Sequence, residues 1–349
     1  MNIKIQFGTQ TLNSGSLLLS QSSVSINQMN IISRPDSQLT VNAAKQLNIL
    51  TSSSSSANIT NLLVNLSFAP SSGNFSLIYN VNSFLNISGY QVIGVYISTG
   101  TIAMIGININ SATVNANQVS FQPTVFIVGN GSSYLFGNAV TTSTLYINSF
   151  SVIIGSNSNF LLLDAISSTE PNYYLFGGII ACINSNSVIN VINVILDSYQ
   201  KFSTSYVSYS GFLVGQNKNS NSGRITINSV CLSQNMVSTT LQFNQFGLIG
   251  YNGGNTSVQN MSVIFAVQGA NFNYFGIIGQ QYLSYAEVVN IKTSVNITSS
   301  GGAYVSSLFG AEEANNCSVL NANIIGGNIN NGSNYVGGFL VINVKMQLL

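Results

Sequence analysis

One short phrase recurs along this chain and limits what it can fold into. It runs aromatic residue or Gly, small residue, two apolar residues, then Gly or Ala. The clearest copies are Phe246-Gly247-Leu248-Ile249-Gly250 and Phe275-Gly276-Ile277-Ile278-Gly279. Looser copies are Phe176-Gly177-Gly178-Ile179-Ile180-Ala181, Gly211-Phe212-Leu213-Val214-Gly215, Ser307-Leu308-Phe309-Gly310 and Gly337-Gly338-Phe339-Leu340-Val341. The closing residues Ala181, Gly215, Gly250, Gly279, Gly310 and Val341 are 34, 35, 29, 31 and 31 apart. Upstream, Tyr134-Leu135-Phe136-Gly137 and Val92-Ile93-Gly94 read as degenerate copies. Self-similarity at this period means an array of like units, each too small to bury its own apolar face.

Between phrases lie runs such as Ser257-Val258-Gln259-Asn260-Met261-Ser262-Val263-Ile264-Phe265. They alternate apolar and polar residues, the two-residue period of a strand, and are rich in β-branched and aromatic types. Gly, Asn and Ser clusters bound them and supply turns. The pattern predicts an all-β, right-handed parallel β-solenoid of about 30-residue coils, with little or no helix. Gly and Ala in the phrase would allow tight corners and close approach. Asn190, Asn228, Asn260 and Asn290 sit at similar places in four units and could form an amide ladder; plain abundance of Asn is the competing explanation. A β-propeller and a membrane β-barrel are rival architectures. The units are shorter than propeller blades, and the aromatic girdles of a barrel would be expected to include Trp, which is absent.

Residues 35–50 are the best helix candidate, with Pro35 in the first turn and Leu39, Ala43, Leu47 and Leu50 on one face. The five serines at 52–56 read as a linker. The expected organisation is therefore an N-terminal region over 1–57 and a solenoid array over 58–349, most regular from 170 onward. The last phrase begins at Tyr335 and the chain stops at Leu349, as the middle of a longer array would.

Composition narrows the function classes. Of 349 residues only 4% are charged and 45% are hydrophobic, so disorder is a poor explanation. The eight Lys and Arg are scattered along the chain and net charge is +1. Nucleic-acid binding needs them clustered to neutralise phosphates. No apolar run is long enough for a transmembrane helix, and the first residues lack the layout of a secretory signal. The three cysteines, Cys182, Cys231 and Cys317, give no disulfide framework or metal spacing and are expected as buried free thiols.

Chemistry-bearing residues are few. There is no His, which excludes Ser-His-Asp and Cys-His nucleophile arrangements within the chain. The carboxylates are Asp36, Asp164, Glu170, Asp197, Glu287, Glu312 and Glu313. No phosphate loop, calcium repeat or recurrent Thr-x-Thr array is present. No catalytic, cofactor or metal residue is therefore expected. Sequons at Asn58, Asn65, Asn74, Asn86, Asn130, Asn255, Asn296, Asn316 and Asn331 are candidate glycan acceptors on a eukaryotic secretory route. Another at Asn260, like that at Asn296, falls in an expected strand, where an inward-facing amide would be inaccessible. Tyr79, Tyr90, Tyr134, Tyr173, Tyr251, Tyr274 and Tyr335 could form an exposed stripe for stacking on sugars, with core packing the commoner role for such residues.

The phrases at 246–250, 275–279 and 335–341, with Asn315-Asn316-Cys317-Ser318-Val319, resemble GLUG-motif repeats. Such repeats occur in large bacterial surface and adhesin-type proteins, and similar Asn- and Ser-rich arrays occur in diplomonad-type protists. The resemblance covers residues 170–349 well and 89–169 loosely. Its repeat positions here are Gly94, Gly137, Gly177, Gly215, Gly247, Gly250, Gly276, Gly279, Gly310 and Gly337. Two copies depart from the pattern: Ala181 replaces Gly, and Ser306-Ser307-Leu308-Phe309 lacks the first Gly. The resemblance implies a β-solenoid with an adhesive or stalk-like role at a cell surface, and no cofactor. Surface glycans, other proteins or further copies of the chain are the partners it suggests. An uncapped last coil exposing Phe339, Leu340 and Val341 would favour self-association. The rival reading is a carbohydrate-binding or carbohydrate-processing β-helix, in which Glu170, Asp197 and tyrosines converge on one lateral face.

Overall fold

A computed structural model describes residues 2–12, 15–20, 23–42, 46–52, 56–129, 132–154, 159–163, 175–203, 206–219, 223–238, 242–268, 271–282, 285–299, 301–312, 317–325, 329–331, 335–337 and 347–348. All regular structure in them is β, and every strand pairing is parallel. Successive stretches of chain alternate between two large sheets, of 15 and 14 strands. The first sheet stacks Asn2–Phe7, Gln28–Ser33, Ala57–Ser67, Phe84–Ile97, Thr113–Val128, Thr144–Ile154, Val188–Ser203, Arg224–Ser238, Asn255–Gln268, Ala286–Ser299, Cys317–Ile324 and Gln347–Leu348 in chain order. The second stacks the intervening strands, from Gly15–Ser20 through Tyr206–Asn217, Gln242–Asn252 and Asn271–Gln281 to Tyr335–Gly337. The chain is a parallel β-solenoid. Among the described residues, no helix is long and apolar enough to cross a membrane.

The core lies between the sheets as one continuous cluster, from Phe7 to Val319. Aromatic groups punctuate it. Phe68, Phe75 and Tyr96 meet at 5.3–5.9 Å between ring centroids, and Phe121, Phe126 and Tyr134 at 4.9–5.5 Å. Phe246, Phe272 and Phe275 form a third group, at 5.1–5.8 Å. Such offset and edge-to-face pairs add to plain area burial.

The long strands of the first sheet do not keep one parity. In Thr113–Val128, Val114 and Ala116 point inward, and so do Val119 and Phe121. Between them Gln118 takes φ 53°, turning the chain and consuming one residue. The same left-handed step recurs in register at Asn61, Gly89, Gln118, Ser149, Asn193, Ser229, Asn260, Asn290 and Asn321. Five of these are Asn and one is Gly, the residues that tolerate this conformation best. The steps are 28, 29, 31, 44, 36, 31, 30 and 31 residues apart, so coil length varies while the register of the corner does not.

The expected helix over 35–50 is not formed. Leu39–Val41 and Gln46–Ser52 are strands, because Leu39, Val41 and Leu47 are needed in the core at a two-residue period. No break falls between 57 and 58: Ala57–Ser67 pairs with Gln28–Ser33 on one side and Phe84–Ile97 on the other. Of the five-serine run, 53–55 lie outside the described residues.

Candidate functional site

Three features repeat from coil to coil: the phrase, the amide columns, and the outer face of the second sheet. The phrase lies where the second sheet bends into the core. Phe212, Leu213 and Val214 are all buried, as are Phe246, Leu248 and Ile249. Consecutive residues cannot all face inward on a regular strand, so the chain bulges there, and the register shifts between Gly211 and Val214. A Cβ on Gly211 would lie 1.8 Å from the Val214 carbonyl oxygen. In register with it stand Ser76, Ala103, Ser133, Gly177, Gly247, Gly276, Ser306 and Gly337, all small. Where the residue is Ser133 or Ser306, its hydroxyl donates to the carbonyl three residues on, Phe136 or Phe309.

The closing residues form a second column: Gly137, Ala181, Gly215, Gly250, Gly279 and Gly310. Gly94 belongs to neither. It sits in the first sheet at φ 111°, opposite Leu66 and Pro123, and the place of the phrase in that coil is taken by Ala103–Ile107 residues rather than by 92–94.

Of the expected ladder, three members join and one does not. Asn260 Nδ2 donates to Asn228 Oδ1 at 2.9 Å, and Asn290 Nδ2 to Asn260 Oδ1 at 3.0 Å. Asn321 continues the series, donating to Asn290 at 3.0 Å. Asn190 is three residues out of phase, opposite Tyr146 and Thr226. Its place is taken by Asn193, which donates to Asn148 at 3.0 Å. The ladder is exposed and marks the left-handed corner.

A second ladder was not anticipated, and it is buried. Asn217 Nδ2 donates to Asn252 Oδ1 at 2.5 Å, and Asn252 Nδ2 to Gln281 Oε1 at 2.6 Å. All three side chains are fully buried. Their sequence signal is an amide two residues after the closing Gly, in Gly215-Gln216-Asn217, Gly250-Tyr251-Asn252 and Gly279-Gln280-Gln281. Fixed amide pairing replaces lost water contacts, so these groups are not stranded in the interior.

On the outer face of the second sheet, two columns flank the bulge. Before it stand Tyr209, Gln245 and Tyr274; after it stand Cys182, Gln216, Tyr251 and Gln280. The columns touch across it. Tyr209 and Tyr251 lie 5.5 Å apart at 65°, and Gln245 Nε2 donates to Gln280 Oε1 at 2.6 Å. Tyr251 also meets Tyr282 at 6.3 Å. The rings of Tyr209, Tyr251 and Tyr274 are half-buried, while Gln245 is only 5% exposed. Its Oε1 has no hydrogen-bond partner.

The other expected stripe members are dispersed. Tyr90 and Tyr134 are in the core, with the Tyr90 hydroxyl donating to Met104 O at 3.0 Å. Tyr79 and Tyr335 lie in strands, and Tyr173 is outside the described residues. Burial pushes the Tyr90 and Tyr96 hydroxyls well above the usual tyrosine range; the Tyr96 hydroxyl adds to the shift at Tyr90.

Carboxylates do not assemble on what is described. Asp197 is exposed on the first sheet, opposite Ile153 and Ser233. Glu287 accepts from Ser257 Oγ at 2.9 Å and from Gln259 Nε2 at 3.4 Å. Asp36 lies in an exposed turn, and Glu312 closes a strand in register with Gln281. Asp164, Glu170 and Glu313 lie outside the described residues. Among the described residues no three His, Cys, Asp or Glu come together as metal ligands would. Cys182 and Cys317 are buried, but Cys231 is exposed, against expectation, because it stands two residues past a left-handed corner on the outward side. Burial raises the Cys182 thiol, and Lys218 partly opposes this.

Among the sequons, Asn58, Asn65 and Asn296 are exposed and Asn74, Asn86 and Asn255 are half-buried. Asn86 donates to Asn58 at 2.7 Å. Asn260 is also outward, but its amide is engaged in the exposed ladder. Asn331 ends a strand, and Asn130 and Asn316 are outside the described residues, as are Phe339, Leu340 and Val341 of the last phrase. Comparison with protein-family models, with curated proteins and with solved structures finds no match.

Proposed function

We propose that this chain is a non-enzymatic, repeat-built structural element of an adhesive, stalk-like surface protein. One observation carries the reading. The left-handed corner holds its register through nine successive coils, although coil length changes by up to 16 residues. A single pocket needs only its own few coils in register; a regular stack needs all of them. Twelve first-sheet strands at about 4.8 Å spacing give a stack of about 50 Å. The likeness of the phrases to GLUG-motif repeats supports the same reading, and the scattered carboxylates offer it no competitor among the described residues.

The test is direct. Beads coated with the protein are flowed over layers of animal and bacterial cells, beside albumin-coated beads. Retention above the albumin control supports adhesion; retention equal to it removes adhesion. Release of reducing sugar from a polysaccharide panel would replace this reading with an enzymatic one.

A further inference from the structure

The outer face of the second sheet combines aromatic rings with amides, and among the described residues its two columns carry no charge, with Lys218 beside them near Cys182. From this we infer that Tyr209, Gln245, Tyr251, Tyr274 and Gln280 form a binding strip for a neutral oligosaccharide chain, lying along the stack. The inference rests on the adhesive reading and names the ligand class that such a surface would hold.

The chemistry follows from the side chains. A tyrosine ring offers an apolar face with a polar rim, which suits the C–H face of a sugar bordered by hydroxyls. Tyr209 and Tyr251 meet at 5.5 Å and Tyr251 and Tyr282 at 6.3 Å, so rings follow one another across coils. Adjacent coils are about 4.8 Å apart, close enough for neighbouring units of one extended glycan to meet neighbouring rings. Amides supply both donors and acceptors, as hydroxyl recognition requires.

Gln245 gives the second, independent observation. It is 5% exposed, its Nε2 is spent on Gln280, and its Oε1 has no partner. A buried acceptor left alone is costly and calls for an explanation in a packed face. Oε1 itself is closed off in this face, so a sugar hydroxyl laid between Tyr209 and Tyr274, the register neighbours of Gln245, would donate to it as the Gln245 side chain turns outward. The absence of Lys, Arg, Asp and Glu from the described positions of both columns favours a neutral ligand over a sialylated or sulfated one.

The experiment applies the full chain to immobilised neutral oligosaccharides (glucans, mannans, galactans and chitooligosaccharides) with sialylated and sulfated glycans alongside. Binding to at least one neutral class is expected. Tyr251→Ala or Tyr274→Ala should weaken it about tenfold, the loss of one contact worth about 1.4 kcal/mol. Tyr251→Phe should retain it, since the ring face is kept. Because these tyrosines face outward, thermal melting of the variants reports whether the stack is intact. Binding to no neutral glycan, binding only to charged ones, or unchanged binding by both alanine variants overturns the inference. If coated beads still adhere to cells while the neutral glycans stay blank, the ligand class fails and the adhesive reading stands.

Discussion

The bulge column shows how strictly single positions are constrained. Gly211 faces a carbonyl oxygen at a distance no Cβ can occupy, whereas Gly8 has nothing within 4 Å of its would-be Cβ. Gly211→Ala should therefore destabilise by about 1–3 kcal/mol, as overpacking does, and Gly8→Ala by under about 0.5 kcal/mol. Chemical denaturation of the two variants checks this; equal effects would remove the close approach as the reason for glycine. Tyr90 and Tyr96 make a different prediction. Their hydroxyls ionise in the unfolded chain near pH 10 but only at higher pH when folded. The folded state thus holds more protons above that pH, and stability falls as pH rises. Unfolding midpoints should be insensitive to these tyrosines below about pH 9.5 and fall above pH 10, by at most about 1.4 kcal/mol per pH unit for each ring. Replacing both with Phe should flatten the alkaline limb.

At the scale of the element, the corner decides how much was legible beforehand. The strand period, the turns and the stacking of like units follow from alternation and repetition, and they hold. The one-residue slip was visible too, in Val258 and Met261 standing three apart instead of two, with Asn260 between them. Reading that run as one unbroken strand hides the corner, and it is why Asn190 looked equivalent to Asn260 while lying three residues off. Gly94 misled for a related reason: a Gly after apolar residues has the spelling of the phrase, yet its positive φ belongs to a kink in the other sheet. The helix over 35–50 failed because four apolar positions fit a helical face as well as two short strands do. The outer Tyr and Gln strip was only half legible, since sequence distance does not say which residues stand on the two sides of a bulge. The corner also makes a test. Asn290 holds φ 54° and two ladder bonds, with Asn260 and Asn321. Asn290→Ala should cost about 1–2 kcal/mol, and Asn290→Gly less, because Gly removes the backbone strain that Ala keeps. In an ordinary strand the order is the reverse, so thermal melts that place Ala above Gly would sink this account.

For the whole molecule, position within a coil matters more than position in the chain. Removing residues 261–290 would join Asn260 to Ile291, one corner to the residue after the next corner, and keep every column in phase. That variant should fold with an unchanged β signature by circular dichroism. Removing only 261–275 breaks the phase and should leave an aggregated or unfolded product. The variable spacing of the corners shows where the fold tolerates change: between the columns, never within them. Consequently a gene for such a stack can grow or shrink by whole coils, and the product remains foldable at each length. The length of the stack then becomes a heritable quantity adjustable in steps of about 4.8 Å, with no new interface to be invented at any step.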